Sequence, residues 1–368
     1  MFRKATEPPA RQAKSSITET APCRKSLRLH IKPESIQPVR SVVLAEFQKQ
    51  ATLPGFRKGK APTNLVERQY AQAIQDETLK RVARQALEEA AKEHDLKPVG
   101  PFELTTADFT EADGLKLEAR VEVEPAFSLG DYRGIPLTAS SPEISEQEMG
   151  EAVGKLQESM AQLVPSGEGE KKERQLPPVD NELAKDLGFE NLDKLREHVH
   201  AKLSEQKRTE ERRTLEAALS DELLRRHAFE VPPGLVTRQA ERLTRDFKVR
   251  LLLSGISEEQ VGQEAEKFTE QLRTSAERHV KISFILDRVA EQETIQVTQD
   301  ELVERLWQLA KRWKKDPADV RKTFDAQGLW PSVISAIRQE KTIAVLIAAA
   351  VVNGKTTPVA AEQAGQPG

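Results

Sequence analysis

The stretch from Asn191 to Phe229 contains neither proline nor glycine, and its apolar residues fall into two separated sets. Leu192, Leu195, Val199 and Leu203 begin a helical stripe, and Leu215, Leu219 and Leu223 resume it. Between them, Ser204 to Thr214 holds no apolar residue at all. At the α-helical rise such a helix spans roughly 55 to 60 Å, longer than a compact domain of ~100 residues is wide. A helix that is polar all round must project from its neighbours or bridge between them. The sequence therefore predicts an elongated all-α region with protruding helical arms rather than a closed bundle. A charged fraction of 31% beside an apolar fraction of 38% fits modest cores with a large wetted surface.

The N-terminal third reads differently. Leu27, Leu29 and Ile31 alternate with polar neighbours as a half-buried strand, and Pro33 opens a helix carrying Ile36, Val39, Val43 and Phe47. After the loop LPGFRKGKAP, Pro62 starts a second helical region with Val66, Ile74, Leu79, Val82 and Leu87 on its stripe. From Leu115 to Glu124 the period becomes two: Leu115, Leu117, Ala119, Val121 and Val123 face one way, Lys116, Glu118, Arg120, Glu122 and Glu124 the other. Residues 24–141 are thus expected to form an α+β domain, helices packed on the apolar face of an antiparallel sheet. Residues 1–23 lack periodicity and are expected to be a disordered tail, as are residues 354–368.

Downstream, helices are expected from Pro233 to Ser254, Ser257 to about Glu291, Thr298 to Trp313, Pro317 to Ala326 and Pro331 to Val352. Thr298 with Glu301 makes a capping box, Asp316-Pro317 an N-cap with proline at N1, and Asn353-Gly354 a stop. The apolar run Ile343 to Val352 is too short to span a bilayer and reads as a buried helix.

Charge and motif content exclude several functions. The net charge is -3, so the molecule as a whole is no polyanion binder, and any nucleic-acid contact must be local. The single cysteine, Cys23, can form no internal disulfide and suits a reducing compartment. The N-terminus has no apolar core of a secretory signal, which makes the cytoplasm the expected location. Gly55, Gly59 and Lys60 miss the phosphate-loop spacing by one residue, and Ala61 stands where a magnesium-binding hydroxyl would be needed. His198 and His200 point to different helix faces, and the other histidines have no partners at ligand spacing. No catalytic residue, metal site or cofactor site is expected, and the three tryptophans read as core.

One local feature stands out. Between Glu46 and Glu67 lie four basic residues, Lys49, Arg57, Lys58 and Lys60, and no acid. Gly55 and Gly59 permit a tight tip, the cations suit phosphates or carboxylates, and Phe56 suits an apolar or base-stacking crevice. On its own the segment also reads as an ordinary basic surface turn.

In context, the strand, long helix, loop and second helix resemble the ribosome-binding domain of the trigger factor family, whose hallmark is a GFRxGKxP loop. Gly55, Phe56, Arg57, Gly59, Lys60 and Pro62 occupy its fixed positions, and Lys58 its basic one. The resemblance continues through PEISEQEMGEAVGKLQ, similar to the family's linker helix (residues 142–164), through FEVPPGLVTRQAERL and through KKDPADVRKTF, similar to its C-terminal helical domain (residues 179–353). It departs from the family at one place. A peptidyl-prolyl isomerase domain of the FKBP type normally follows the linker helix, whereas residues 165–178 here form only a short connector, and a stable domain needs at least about 50 residues. The resemblance implies a non-enzymatic, ATP-independent chaperone. Its ribosome-binding residues would be Gly55, Phe56, Arg57, Lys58, Gly59, Lys60 and Pro62, and its partners the large ribosomal subunit, protein and rRNA, at the tunnel exit. Nascent or unfolded polypeptides would be its clients, no membrane would be involved, and a homodimer off the ribosome is left open. A ribosome-associated RNA-binding factor without client binding and a prolyl isomerase are the alternatives. Aggregation suppression separates the first; the absent insert argues against the second.

Overall fold

The computed structural model describes residues 13–139, 143–165, 172–353 and 355–356. In chain order the elements are β1 (Ala13–Ala21), β2 (Arg24–Ile31), α1 (Pro33–Gln50), α2 (Thr63–Gln69), α3 (Ala71–Glu93), β3 (Glu103–Thr110), β4 (Gly114–Glu122) and β5 (Pro136–Leu137). There follow α4 (Glu146–Ser159), β6 (Gln162–Pro165), β7 (Lys172–Gln175), α5 (Asn181–Asp186), α6 (Leu192–Arg226), α7 (Pro233–Leu253) and α8 (Glu258–Lys267). The last are α9 (Thr269–Gln292), α10 (Gln299–Trp313), α11 (Pro317–Gln327), α12 (Trp330–Ala348), β8 (Val351–Val352) and β9 (Lys355–Thr356). The chain divides into two compact units: the described residues up to Ser128 with His227–Phe284, and Leu129–Arg226 with the described residues from Ile285 onward.

The first unit is built on an antiparallel sheet of order β1-β2-β4-β3. The alternation read in the sequence is the observed one: Leu115, Leu117, Ala119, Val121 and Val123 are buried together with Leu27, Leu29 and Ile31. Ile36 of α1 and Val82, Ala83, Ala86, Leu87 and Ala90 of α3 close this core from one side. Gly114 turns the β3–β4 hairpin at φ +84°, where a Cβ would lie 2.1 Å from the Ile31 carbonyl oxygen. Helix α7 begins against the same sheet. The Glu122 carboxylate, on the strand's solvent face, accepts from the Gly234 backbone N–H at 2.7 Å and so caps an orphan donor of the helix N-terminus. The Cys23 thiol donates to the Glu230 carbonyl at 3.2 Å, and burial pushes its pKa up, away from thiolate chemistry. Val236, Ala276 and Val280 form the core of the α7–α9 hairpin.

In the second unit α6 runs unbroken for 35 residues, about 52 Å at the α-helical rise. Its first half packs Leu195 and Val199 on α4 and α5, with Met149, Ala152 and Leu156. Its second half buries Leu215, Leu219 and Leu223. The polar stretch between them buries no side chain, so α6 bridges two packed zones. One residue of the stretch is tied down: Lys207 donates to Glu148 at 2.7 Å and to the Glu143 carbonyl at 2.5 Å, and its hydrogen bond brings the Glu148 carboxyl down to about 2. Helices α10 to α12 pack around Leu306, Ala310, Val320 and Phe324. The expected capping box at Thr298 and N-cap at Asp316 are both formed.

Several expectations need correction. Residues 13–21, assigned to a disordered tail, form β1 and pair along the whole of β2; only residues 1–12 of that tail lie outside the described residues. The linker helix ends at Ser159, and residues 162–165 pair with 172–175 as a hairpin; of the connector, 166–171 lie outside the described residues. The helix expected from Ser257 to Glu291 is interrupted at Phe268, which caps α8 and packs its ring against Phe247 at 5.3 Å. The last helix stops at Ala348 rather than Val352, because Val351–Val352 pair in parallel with Pro136–Leu137. Of the expected C-terminal tail, residues 355–356 form β9 and the rest lies outside the described residues. Among the described residues no helix is long and apolar enough to cross a membrane.

Candidate functional site

The loop between α1 and α2 is two successive tight turns. In the first, Leu53-Pro54-Gly55-Phe56, the Phe56 N–H donates to the Leu53 carbonyl at 3.1 Å and Gly55 sits at φ +84°. Proline at the second position and a positive-φ glycine at the third are what a type II turn demands. In the second, Arg57-Lys58-Gly59-Lys60, the Lys60 N–H donates to the Arg57 carbonyl at 2.9 Å and Gly59 sits at φ +78°. Gly59 also lies against the end of α1: a Cβ there would be 3.2 Å from the Lys49 carbonyl oxygen.

The base of the loop is locked from below. Ala51 and Ala61 are buried in a small core with Val43, Val66 and Ile74, and Phe47 and Tyr70 pack with ring centroids 6.2 Å apart. The Gln48 side-chain amide donates to the Ala61 carbonyl at 2.9 Å. Pro62 is the residue from which α2 starts. The backbone is thus fixed by turns and core, while the side chains at the tip are left outward. Phe56 is 41% exposed, and Arg57, Lys58 and Lys60 are exposed with no side-chain partner among the described residues.

The flanking acids are paired with other cations. Glu46 pairs with Arg81 at 2.7 Å, whose hydrogen bond holds the Glu46 carboxyl below its usual range, and Glu67 pairs with Arg40 at 2.9 Å. The structure therefore brings all seven sequence-expected residues into one tip or its immediate support. Sequence reading missed Gln48 and Ala61 as the lock, since nothing in the chain marks a glutamine that reaches a carbonyl across a loop. It also passed over Val42 and Leu65, exposed at 45% and 38% on the two flanking helices.

The second unit carries apolar surface of another kind. A groove of about 580 Å³ between α4 and α6 is floored by Leu156, Phe189, Leu195, Val199 and Leu203. A smaller one of about 280 Å³ is lined by Leu302, Val303, Leu306, Trp330 and Ile334. Trp307, expected to be core, is 62% exposed on α10, and Trp313 is 47% exposed.

Two family models match the chain: the bacterial trigger factor protein over residues 13–156 and the bacterial trigger factor C-terminus over residues 191–348. The trigger factor of Anaeromyxobacter sp. (strain Fw109-5) is 25% identical over an alignment of 425 residues that covers 92% of this chain and 99% of that protein. The alignment is longer than this 368-residue chain, so the relative carries sequence with no counterpart here. The trigger factors of Solibacter usitatus and Geobacter sp. (strain M21) are 23% and 24% identical, covering 88% and 90% of this chain and 96% of each relative. A solved structure of the trigger factor chaperone, from work on promiscuous substrate recognition in folding and assembly, shares the fold with a TM-score of 0.51 at 21% identity, covering 90% of this chain and 99% of that one. No isomerase domain is matched between the two family models, where residues 157–190 make a short gap. From the first strand to the last helix, with that one gap, the chain belongs to the trigger factor family.

Proposed function

We propose that this chaperone docks on the large ribosomal subunit near the tunnel exit through the tip Gly55–Pro62, and shelters nascent polypeptides on apolar surfaces of its helical region without nucleotide hydrolysis. Family membership supports the chaperone class, and one observation carries the docking assignment. Phe56, Arg57 and Lys58 stand outward on a backbone that is held without them, at the positions of the family's basic loop. Two cations beside an aromatic ring fit a surface of phosphates or carboxylates with an apolar crevice. Exposed Trp307 and the two grooves supply scattered apolar patches among charges, suited to weak, multivalent holding of unfolded segments. A cytoplasmic location follows from the ribosomal partner.

The test is co-sedimentation with ribosomes of the Phe56→Ala/Arg57→Ala/Lys58→Ala variant. Central aromatic and arginine residues cost about 2 kcal/mol or more each on truncation. Losing ~4 kcal/mol weakens binding roughly a thousandfold, while folding and client holding persist. Equal sedimentation of variant and wild type places the dock elsewhere.

The same reading makes the chain a chaperone without prolyl isomerase activity. Between the family matches the described residues form only the end of α4, the β6–β7 hairpin and α5. Uncatalysed prolyl exchange takes tens of seconds or longer, so a protein-dependent acceleration in a peptide assay is easily seen and contradicts this part of the proposal.

A further inference from the structure

The corner where α10 meets α11 carries more positive charge than its own structure needs. Between Ala310 and Phe324 stand Lys311, Arg312, Lys314, Lys315, Arg321 and Lys322 against two acids, Asp316 and Asp319, in a chain whose net charge is -3. Both acids are engaged: Asp316 accepts from the Ala318 N–H at 2.7 Å as the N-cap of α11, and Asp319 pairs with Lys322 at 3.3 Å. The other five cations are exposed and make no ion pair among the described residues. The carbonyl end of a helix favours cations in its last turn, which accounts for Lys311 and Arg312. It does not account for Lys314 and Lys315, which lie past that turn. Lys314 sits at φ +53°, a left-handed position that glycine would hold without strain, and the Lys314 and Lys315 N–H groups close the helix end on the Lys311 and Ala310 carbonyls at 3.3 and 3.0 Å.

Apolar surface leads directly into this charge. Val303 and Trp307 are 44% and 62% exposed, and the spacing of four puts Lys311 next on the same face of α10. From Val303 to Lys311 the face passes from apolar to basic over about 12 Å at the α-helical rise. Arg321 joins the two from the side of α11: it lines the smaller groove together with Leu302, Val303 and Trp330. Trp313, half exposed among the lysines, is held by its edge-to-face contact with buried Phe324, ring centroids 6.0 Å apart.

We infer, on the proposal that the helical region holds clients, that this face selects acidic ones: unfolded stretches in which glutamate or aspartate lies within a few residues of an apolar side chain. The apolar side chain lies along Trp307 or enters the groove, and carboxylates further along the client meet Lys311, Lys314 and Lys315. An extended chain advances about 3.3 Å per residue, so roughly four residues bridge the two zones. A chaperone of net charge -3 repels acidic chains on average, and a local basic face offsets that repulsion. A nucleic acid would satisfy the cations equally well, but it brings no aliphatic side chain for the groove that Arg321 shares with Leu302 and Val303.

Fluorescence anisotropy of the full chain with three labelled, unstructured peptides tests this. One carries leucine and phenylalanine beside glutamates, the second has glutamine and the third lysine in place of each glutamate. The glutamate peptide binds about tenfold more tightly than the glutamine peptide, as several exposed ion pairs give together, and the lysine peptide binds most weakly. Lys311→Glu/Lys314→Glu/Lys315→Glu, at three exposed positions whose folding is checked by circular dichroism, reverses that order. Trp307→Ala weakens all three peptides alike, because it removes the apolar contact and no charge. Equal affinity of wild type for the three peptides, or an order unmoved by the triple reversal, overturns the inference. So does an oligouridylate that binds wild type more tightly than the glutamate peptide and is lost in the triple variant, which makes the corner a nucleic-acid site. Suppression of client aggregation, measured in parallel, keeps the two readings apart: charge-blind peptide binding with suppression intact sinks the selectivity alone, whereas a wild type that suppresses nothing sinks the holding function itself.

Discussion

The loop at Gly55–Lys60 and the middle of α6, Ser204–Thr214, look alike in sequence: both are short, polar and rich in cations, and neither buries a charged side chain. They hold their shape by different means. In α6 the helix ladder runs through the stretch and its ends are anchored by leucines, while its side chains mostly pair locally, as Arg212 does with Glu216 at 2.8 Å. In the loop no regular ladder exists, and two positive-φ glycines, two turn hydrogen bonds and the Gln48 clasp do that work. Exposed charge alone therefore does not make a site. What suits the loop to the proposed docking is a rigid backbone with cations left unpaired by their neighbours, because little ordering entropy would remain to be lost on binding.

Substitution at the anchors of α6 separates the two regions most strongly. Leu219 is 1% exposed, and Leu219→Ala is expected to cost about 2 to 5 kcal/mol in chemical denaturation by leaving a cavity. Arg208→Ala, in the polar middle, stays within about 0.5 kcal/mol. Equal losses would mean that the polar stretch is packed after all.

A smaller effect on folding but a specific one on binding is expected at Gly59. Alanine there must hold a left-handed backbone, at about 1 to 2 kcal/mol, with its Cβ only 3.2 Å from the Lys49 carbonyl. The relief is an opened second turn, which carries Arg57 and Lys58 off their positions. Gly59→Ala should reduce ribosome co-sedimentation although no binding side chain has been removed. Undiminished binding would show that the turn is not what presents the cations.

How far these features were legible in the chain depends on what marks them. The β4 alternation, the buried stripe of α3 and the caps at Thr298 and Asp316 follow from local pattern, and the fold repeats them. Strand β1 left almost no trace because it lies at a sheet edge, with Ile17 as the one large apolar residue in AKSSITETA. The end of α12 was misplaced because Val351 and Val352 suit a helix as well as a strand, and only their pairing with Pro136 and Leu137, far away in sequence, decides. At the site, Pro54-Gly55 announced a turn and the basic run announced a charge. That Glu46 and Glu67 are held by Arg81 and Arg40, leaving the loop cations unpaired, could be known only from the fold.

Whether the unpaired cations of the tip make the proposed ribosomal contact is read from the slope of log affinity for ribosomes against log salt, in wild type and in Arg57→Ala/Lys58→Ala. Each phosphate neutralised contributes roughly 0.7 to 0.9 to that slope. If both cations meet phosphates, the variant's slope should be shallower by about 1.4 to 1.8, with the residual affinity carried by Phe56 and Lys60. Identical slopes for the two proteins would mean that Arg57 and Lys58 do not meet ribosomal phosphates.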